Sequence, residues 1–158
     1  RRASNRSHQA KKKAGQRNKM GLTIFTDTNI WFSALYGSDN CEKILKAHLA
    51  GRVKIMISEG VLTELIRTLK TKAPHTLKTL EKLLRISPPI ISRKVVNVPR
   101  KYLNLADGKD LPILLAAHEA GVKIFVTGNI KDFNQALIEK KFGIKIITPK
   151  QAVQLLNL

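Results

Sequence analysis

Leu22-Thr23-Ile24-Phe25-Thr26-Asp27-Thr28-Asn29 is a short β-branched and aromatic run that ends abruptly on an acid, a hydroxyl and an amide. Alternation over so few residues is weak, but the composition is that of a buried strand. Three further runs have the same character: Val53-Lys54-Ile55-Met56-Ile57, Lys123-Ile124-Phe125-Val126-Thr127 and Ile144-Lys145-Ile146-Ile147. Between and after them, apolar residues recur at helical spacing, which predicts helices over about 29–36, 41–50, 59–71, 76–86, 110–120, 134–141 and a last one from Lys150. Gly51, Gly121 and Gly143 each fall between a helical stretch and a strand, where a helix-terminating glycine belongs. Strand and helix in alternation imply right-handed crossovers and a mainly parallel sheet covered on both faces. The expected fold class is α/β, a three-layer α/β/α arrangement. The stretch from Pro88-Pro89 to Pro99 is less regular, with an edge strand or an irregular connection expected around Val95-Val96.

At 158 residues the chain is sized for one domain. Residues 20–158 are read as that domain. Residues 1–19 hold eight Lys or Arg, no acid and nothing larger than Ala to bury, so they are expected to be a disordered basic tail. With Met20 just before the first strand, that tail is either an extension added ahead of a native start or a native nucleic-acid-binding arm. No apolar run reaches the roughly 18 residues of a membrane span, so no membrane partner is expected. One cysteine, Cys41, permits no internal disulfide and suits a reducing, cytoplasmic compartment, where it is most simply a small buried hydrophobe.

Charge narrows the partner class. Lys and Arg number 29 against 11 Asp and Glu, a net charge of +18, and such an excess selects for polyanions. In an open parallel sheet the ligand crevice lies beyond the carboxyl ends of the strands. Asp27 follows the first strand, and Thr127-Gly128-Asn129-Ile130-Lys131-Asp132 follows the third of the four runs. Glu59 and Glu64 lie in the helix after the second, while Asp107 and Asp110 precede the helix beginning Leu111-Pro112. Carboxylates converging in a partly dry cleft repel one another and need a cation, for which hard oxygen ligands favour magnesium or manganese.

Each acid also has an ordinary reading. Asp27 and Asp110 stand where helix caps belong, Asp132 and Asn129 suit a turn, and Glu64 lies off the apolar stripe of Leu62, Leu65, Ile66 and Leu69, as a solvated acid would. His8, His48, His75 and His118 share no ligand spacing, and there is neither a glycine-rich phosphate loop nor a serine nucleophile elbow. Trp31, Phe32 and Phe125 read as core residues rather than base-stacking platforms. A phosphoacceptor built on Asp27, Thr127 and Lys150 is a weaker possibility, because no Asp follows the second strand.

Four blocks in order carry a resemblance: Phe25-Thr26-Asp27-Thr28-Asn29-Ile30, Ile57-Ser58-Glu59-Gly60-Val61-Leu62-Thr63-Glu64-Leu65, Lys109-Asp110-Leu111-Pro112-Ile113-Leu114, and Phe125-Val126-Thr127-Gly128-Asn129-Ile130-Lys131-Asp132-Phe133. Together they resemble the signature blocks of PIN-domain proteins over about residues 22–150. The resemblance implies a divalent-metal-dependent endoribonuclease, often the toxin of a toxin–antitoxin pair of the VapBC type. Its implied partners are RNA, a protein antitoxin and a second copy of the chain. It makes Asp27, Glu64 and Asp110 the core metal-binding acids, with Glu64 preferred over Glu59. One frequent place for the fourth acid is occupied here by Asn129, which leaves Asp132 as its substitute. Thr28, Asn29, Thr127 and Asn129 would orient ligands or water around them. The alternative is a non-catalytic RNA-binding PIN-like domain with an incomplete acidic set.

Overall fold

The computed structural model describes residues 21–158, so the expected basic tail lies outside the described residues. Five strands form one sheet: β1 (Thr23–Thr26), β2 (Lys54–Ser58), β3 (Ile90–Ser92), β4 (Ile124–Val126) and β5 (Lys145–Ile147). Seven α-helices surround it: α1 (Thr28–Leu35), α2 (Asp39–Leu49), α3 (Glu59–Lys72), α4 (Leu77–Ile86), α5 (Leu111–Glu119), α6 (Gln135–Phe142) and α7 (Pro149–Leu156). The strand order is β3-β2-β1-β4-β5 and every pairing is parallel. This is the expected three-layer α/β/α fold. The chain grows outward from β1 through β2 to β3, then crosses back to place β4 on the other side of β1. The reversal point is therefore the β1–β4 junction, where such folds open a crevice at the carboxyl ends of the strands.

The junction is locked by aromatic packing. Phe25 and Phe125 are register partners whose rings stack at 5.3 Å, and Phe133 leans on Phe125 at 5.2 Å. Trp31 closes the β1–α1 corner by donating its indole N–H to Thr26 Oγ1 at 2.9 Å, satisfying both polar groups inside the core. Trp31 and Phe125 are core residues as expected. Phe32 is only partly buried and stacks on Tyr36 at the surface. Cys41 is free and buried. Gly121 and Gly143 take left-handed φ of +77° and +65° between helix and strand, a conformation that costs a side-chain-bearing residue more than it costs glycine.

The 88–99 stretch holds an edge strand, and the connection around Val95-Val96 is the irregular one of the two expected alternatives. The strand forms at Ile90–Ser92, paired with Met56–Ser58, and not around Val95-Val96. Pro88 and Pro89 supply no N–H to a ladder, so pairing starts directly after them. Val95 instead turns into the core while Val96 stays exposed. A three-residue strand has too little pattern to separate two apolar pairs five residues apart.

His48 is the buried polar joint of this half of the sheet. Its Nδ1 accepts the Ile55 amide of β2 at 3.2 Å, leaving Nε2 as the donor to the Ser87 carbonyl beyond α4 at 2.9 Å. Replacing it by Ala strands the Ile55 N–H in the core, a cost of about 1–3 kcal/mol before any cavity is counted. His48→Ala is therefore expected to lower unfolding free energy in urea by at least that much, and a loss under about 0.5 kcal/mol, the surface-substitution range, would contradict the joint.

Candidate functional site

β1 ends at Thr26, so the next residue is delivered to the mouth of the reversal point. That residue is Asp27, buried at 6% exposure. It occupies the N-cap position of α1 yet makes no side-chain capping bond. Its Oδ2 accepts a 2.6 Å hydrogen bond from Thr127 Oγ1, reaching across from the end of β4, and its Oδ1 is buried with no hydrogen-bond partner. Thr127 is fixed in turn because its Oγ1 accepts the Asn129 amide at 3.0 Å and its own amide donates to the Ile147 carbonyl. Burial raises the Asp27 carboxyl to about pKa 6; the Thr127 hydroxyl and the nearby Ile30 and Asn29 amides oppose that rise, and the Asp110 charge adds to it.

Asp110 behaves in the same way. It stands at the N-cap of α5 without capping it. Pro112, in the first turn, lacks one of the amides that a capping side chain would use. Its Oδ2 is also buried without a hydrogen-bond partner. Burial raises its pKa, the charges of Asp132, Asp107 and Glu64 raise it further, and Lys109 opposes them. Neither acid makes a side-chain capping bond of good geometry, although the Asn29 and Ile30 amides of the first turn of α1 lie close enough to Asp27 to favour its charged form.

Glu64 reaches the cleft from α3, where Val61, Leu65 and Leu69 form the buried face. Although it lies off that stripe, it is half-buried because α1 packs beside α3, and Thr28 Oγ1 donates to its Oε2 at 3.1 Å. Glu59, earlier on the same helix, is exposed and does not line the cavity described next. Asp27, Thr28, Asn29, Glu64, Asp110 and Asn129 line one cavity of about 310 Å³, together with Arg67, Lys109 and Ile113. Thr127 sits behind it, holding Asp27.

Asp132 does not line that cavity but gathers with Asp110. One carboxylate oxygen each from Asp107, Asp110 and Asp132 falls within 4.8 Å of the others. Asp107, one of the acids that could converge but not one of those the PIN-domain resemblance assigns to metal, belongs to this group. Its position is set by backbone: the Asp107 amide donates to the Asp132 carbonyl at 3.0 Å, and an antiparallel bridge pairs Ala106 with Phe133. The only sequence hint was two acids three residues apart in a turn containing Gly108. Lys150 is exposed on α7 and does not line the acidic cavity, which removes the phosphoacceptor arrangement.

A family model described as the PIN domain matches residues 23–131. The chain belongs to the PIN-domain family. The match takes in Asp27, Glu64, Asp110 and Asn129 and ends one residue before Asp132. Among solved structures, a chain of the crystal structure of VapBC2 from Rickettsia felis bound to a DNA fragment from their promoter superposes with a TM-score of 0.57 at 22% identity, covering 80% of this chain and 98% of that one. At that identity the likeness is one of fold. Comparison with curated proteins gave no match.

The raised Asp27 pKa fixes a pH dependence for this PIN domain without metal. The unfolded carboxyl releases its proton near 3.8 and the folded one near 6, so stability falls as pH rises from about 4 through 6 and stays low above it. The difference is on the order of 3 kcal/mol. Asp27→Asn has no such slope. In EDTA its urea stability should equal or exceed that of the parent at pH 7, with the gap closing towards pH 4; parallel curves would contradict the assignment.

Proposed function

We propose that this PIN domain is a divalent-metal-dependent endoribonuclease that hydrolyses RNA phosphodiester bonds and serves as the toxin of a toxin–antitoxin pair. The observation that carries the reading is a pair of buried carboxylate oxygens, Asp27 Oδ1 and Asp110 Oδ2, left without hydrogen-bond partners beside the same cavity. Buried polar atoms are nearly always satisfied, and a hard cation satisfies carboxylate oxygens while cancelling their repulsion. The donor set fits magnesium or manganese, being all oxygen. Asp27, Glu64 and Asp110 would hold it, with Asp132 and Asp107 adding oxygens around Asp110. When bound, such an ion supplies an acidified water and neutralises charge building on the phosphate and the leaving oxygen.

The remaining work falls to the chain itself. Thr127 pins one oxygen of Asp27 and Thr28 one oxygen of Glu64, which would leave the other oxygen of each acid for the ion. Asn29 and Asn129, exposed at the rim, present amides to phosphate oxygens. Arg67 and Lys109 bring positive charge to a cavity that would otherwise repel a polyanion. The net charge of +18 draws RNA to the surface as a whole. The non-catalytic alternative rested on Asn129; against it stands the exposure of that residue and the presence of Asp27, Glu64 and Asp110 on the same cavity. A protein antitoxin and a second copy of the chain are the proposed protein partners, the former supported by the structural likeness to VapBC2. The proposed compartment is cytoplasmic, and among the described residues no helix is long and apolar enough to cross a membrane.

Asp27→Asn, Glu64→Gln and Asp110→Asn should each reduce manganese-dependent RNA cleavage by more than the roughly 10- to 100-fold loss typical of removing an outer partner. Thr127→Val should fall within that range. Asp132→Asn should weaken manganese affinity and slow cleavage, and Asn129→Asp should strengthen both. Single-turnover cleavage across a manganese titration checks all of these. Full activity with a lowered melting temperature in the three core variants would overturn the reading, and parental activity of Asp132→Asn would reduce that acid to a turn residue.

A further inference from the structure

α1 and α3 run side by side away from the acidic cavity. At the cavity end Thr28 donates to Glu64; eight residues farther along each helix, Tyr36 Oη donates to the Lys72 carbonyl at 3.4 Å. At about 1.5 Å per residue these contacts are about 12 Å apart. Between them the α1 face carries Phe32, one turn beyond Thr28, whose ring stacks on Tyr36 at 4.8 Å with 20° between the planes. The Lys72 ammonium lies 5.9 Å from the centre of the Phe32 ring, and Arg67 lines the cavity on the same helix. Tyr36 is 57% exposed even with its ring stacked on Phe32.

An exposed aromatic step beside a lysine, on the same two helices that carry the cavity residues Thr28, Glu64 and Arg67, has a specific use. We propose that Tyr36, backed by Phe32, is a base-stacking subsite that receives an unpaired base of a single-stranded RNA whose backbone leads into the acidic cavity. The proposal deepens the ribonuclease reading and rests on it for the identity of the polymer. A protein partner would also value exposed aromatics, but Arg67 and Lys72 along the track, on a chain of net charge +18, complement a polyanion. Stacking needs a free base face, so the substrate segment here is unpaired. It tolerates any base, because every base has a π-face; the subsite therefore contributes affinity and placement and leaves sequence choice to other contacts.

The test uses the full chain in EDTA, so that binding is read without cleavage, with fluorescence anisotropy of an unstructured single-stranded RNA oligonucleotide and of a duplex RNA of the same sequence. Tyr36→Ala should weaken single-stranded binding roughly 5- to 150-fold, the contribution of one stacked base, and leave duplex binding unchanged. Tyr36→Phe, which loses only the bond to the Lys72 carbonyl, should bind within about twofold of the parent. Tyr36→Leu keeps apolar bulk against Phe32 without the ring, so it should melt like the parent and bind like Tyr36→Ala. Undiminished single-stranded binding by Tyr36→Ala and Tyr36→Leu, or an equal loss for duplex RNA, would overturn the subsite, the first outcome pointing to a protein partner on this face. Tyr36-dependent binding by a parent chain that does not cleave with manganese would instead uphold the subsite and remove the ribonuclease reading.

Discussion

A carboxylate sits at the end of the strand next to the reversal point with only one of its oxygens satisfied. Asp27 is set there by the length of β1 and held by the Thr127 hydroxyl from the end of β4, so the hydrogen bond spans the point where the sheet changes direction. Everything else about the site follows from keeping that arrangement dry and rigid. The stacked pair of Phe25 and Phe125 fixes the two strand ends in register, and the Trp31 bond to Thr26 fixes the corner by which the chain leaves β1. Around this point the fold brings Glu64 from α3 and Asp110 from the start of α5, and burial raises the carboxyl pKa of Asp27 and of Asp110. Asp27 Oδ1, Asp110 Oδ2 and Ser92 Oγ are the buried side-chain polar atoms without a hydrogen-bond partner among the described residues, and the first two belong to residues that line the cavity.

Asp27 and Asp110 stand at two of the four α-helix N-termini that lack a side-chain capping bond among the described residues, the others being at Ser38 and Thr76. Asp is among the favoured capping residues, and both Asp27 and Asp110 stand in capping positions. Capping would direct a carboxylate oxygen at backbone amides and away from the cavity. Pro112 removes one amide beside Asp110, and Thr127 competes successfully for Asp27. Helix stability is given up locally, while the apolar faces of α1 and α5 retain their helices by packing: Ile30, Trp31 and Ala34 on the first, Leu111, Leu114 and Leu115 on the second.

The sheet and its helices were legible because their signals are long or redundant: four β-branched runs, seven periodic stretches, and glycines at the helix-to-strand junctions. The place of the edge strand was not, since Ile90-Ile91 and Val95-Val96 look alike until Met56–Ser58 offers a partner. Asp27 could be read from its place after a strand. Glu64 could not be read from periodicity, because its half-burial arises from α1 packing beside α3, a tertiary fact; only the ordered blocks of the PIN-domain resemblance singled it out. Asp107 was left outside the acids assigned to metal for the same reason, its place beside Asp132 being set by a backbone bond 25 residues distant in sequence. Phe32 was read as core because its neighbours are apolar, whereas it ends half-buried under Tyr36 beside α3.

The central claim is that these acids form one divalent-cation site, and the most direct measurement is the melting temperature of the parent chain and of Asp110→Asn with and without manganese at pH 7. At 100 times the dissociation constant a bound ion stabilises the fold by about 2.7 kcal/mol, equivalent to roughly 5–10 °C for a domain of this size. The account predicts such a rise in the parent, with Asp110→Asn at least as stable without manganese and nearly unresponsive to it. No rise in the parent, or the same rise in both proteins, would contradict it.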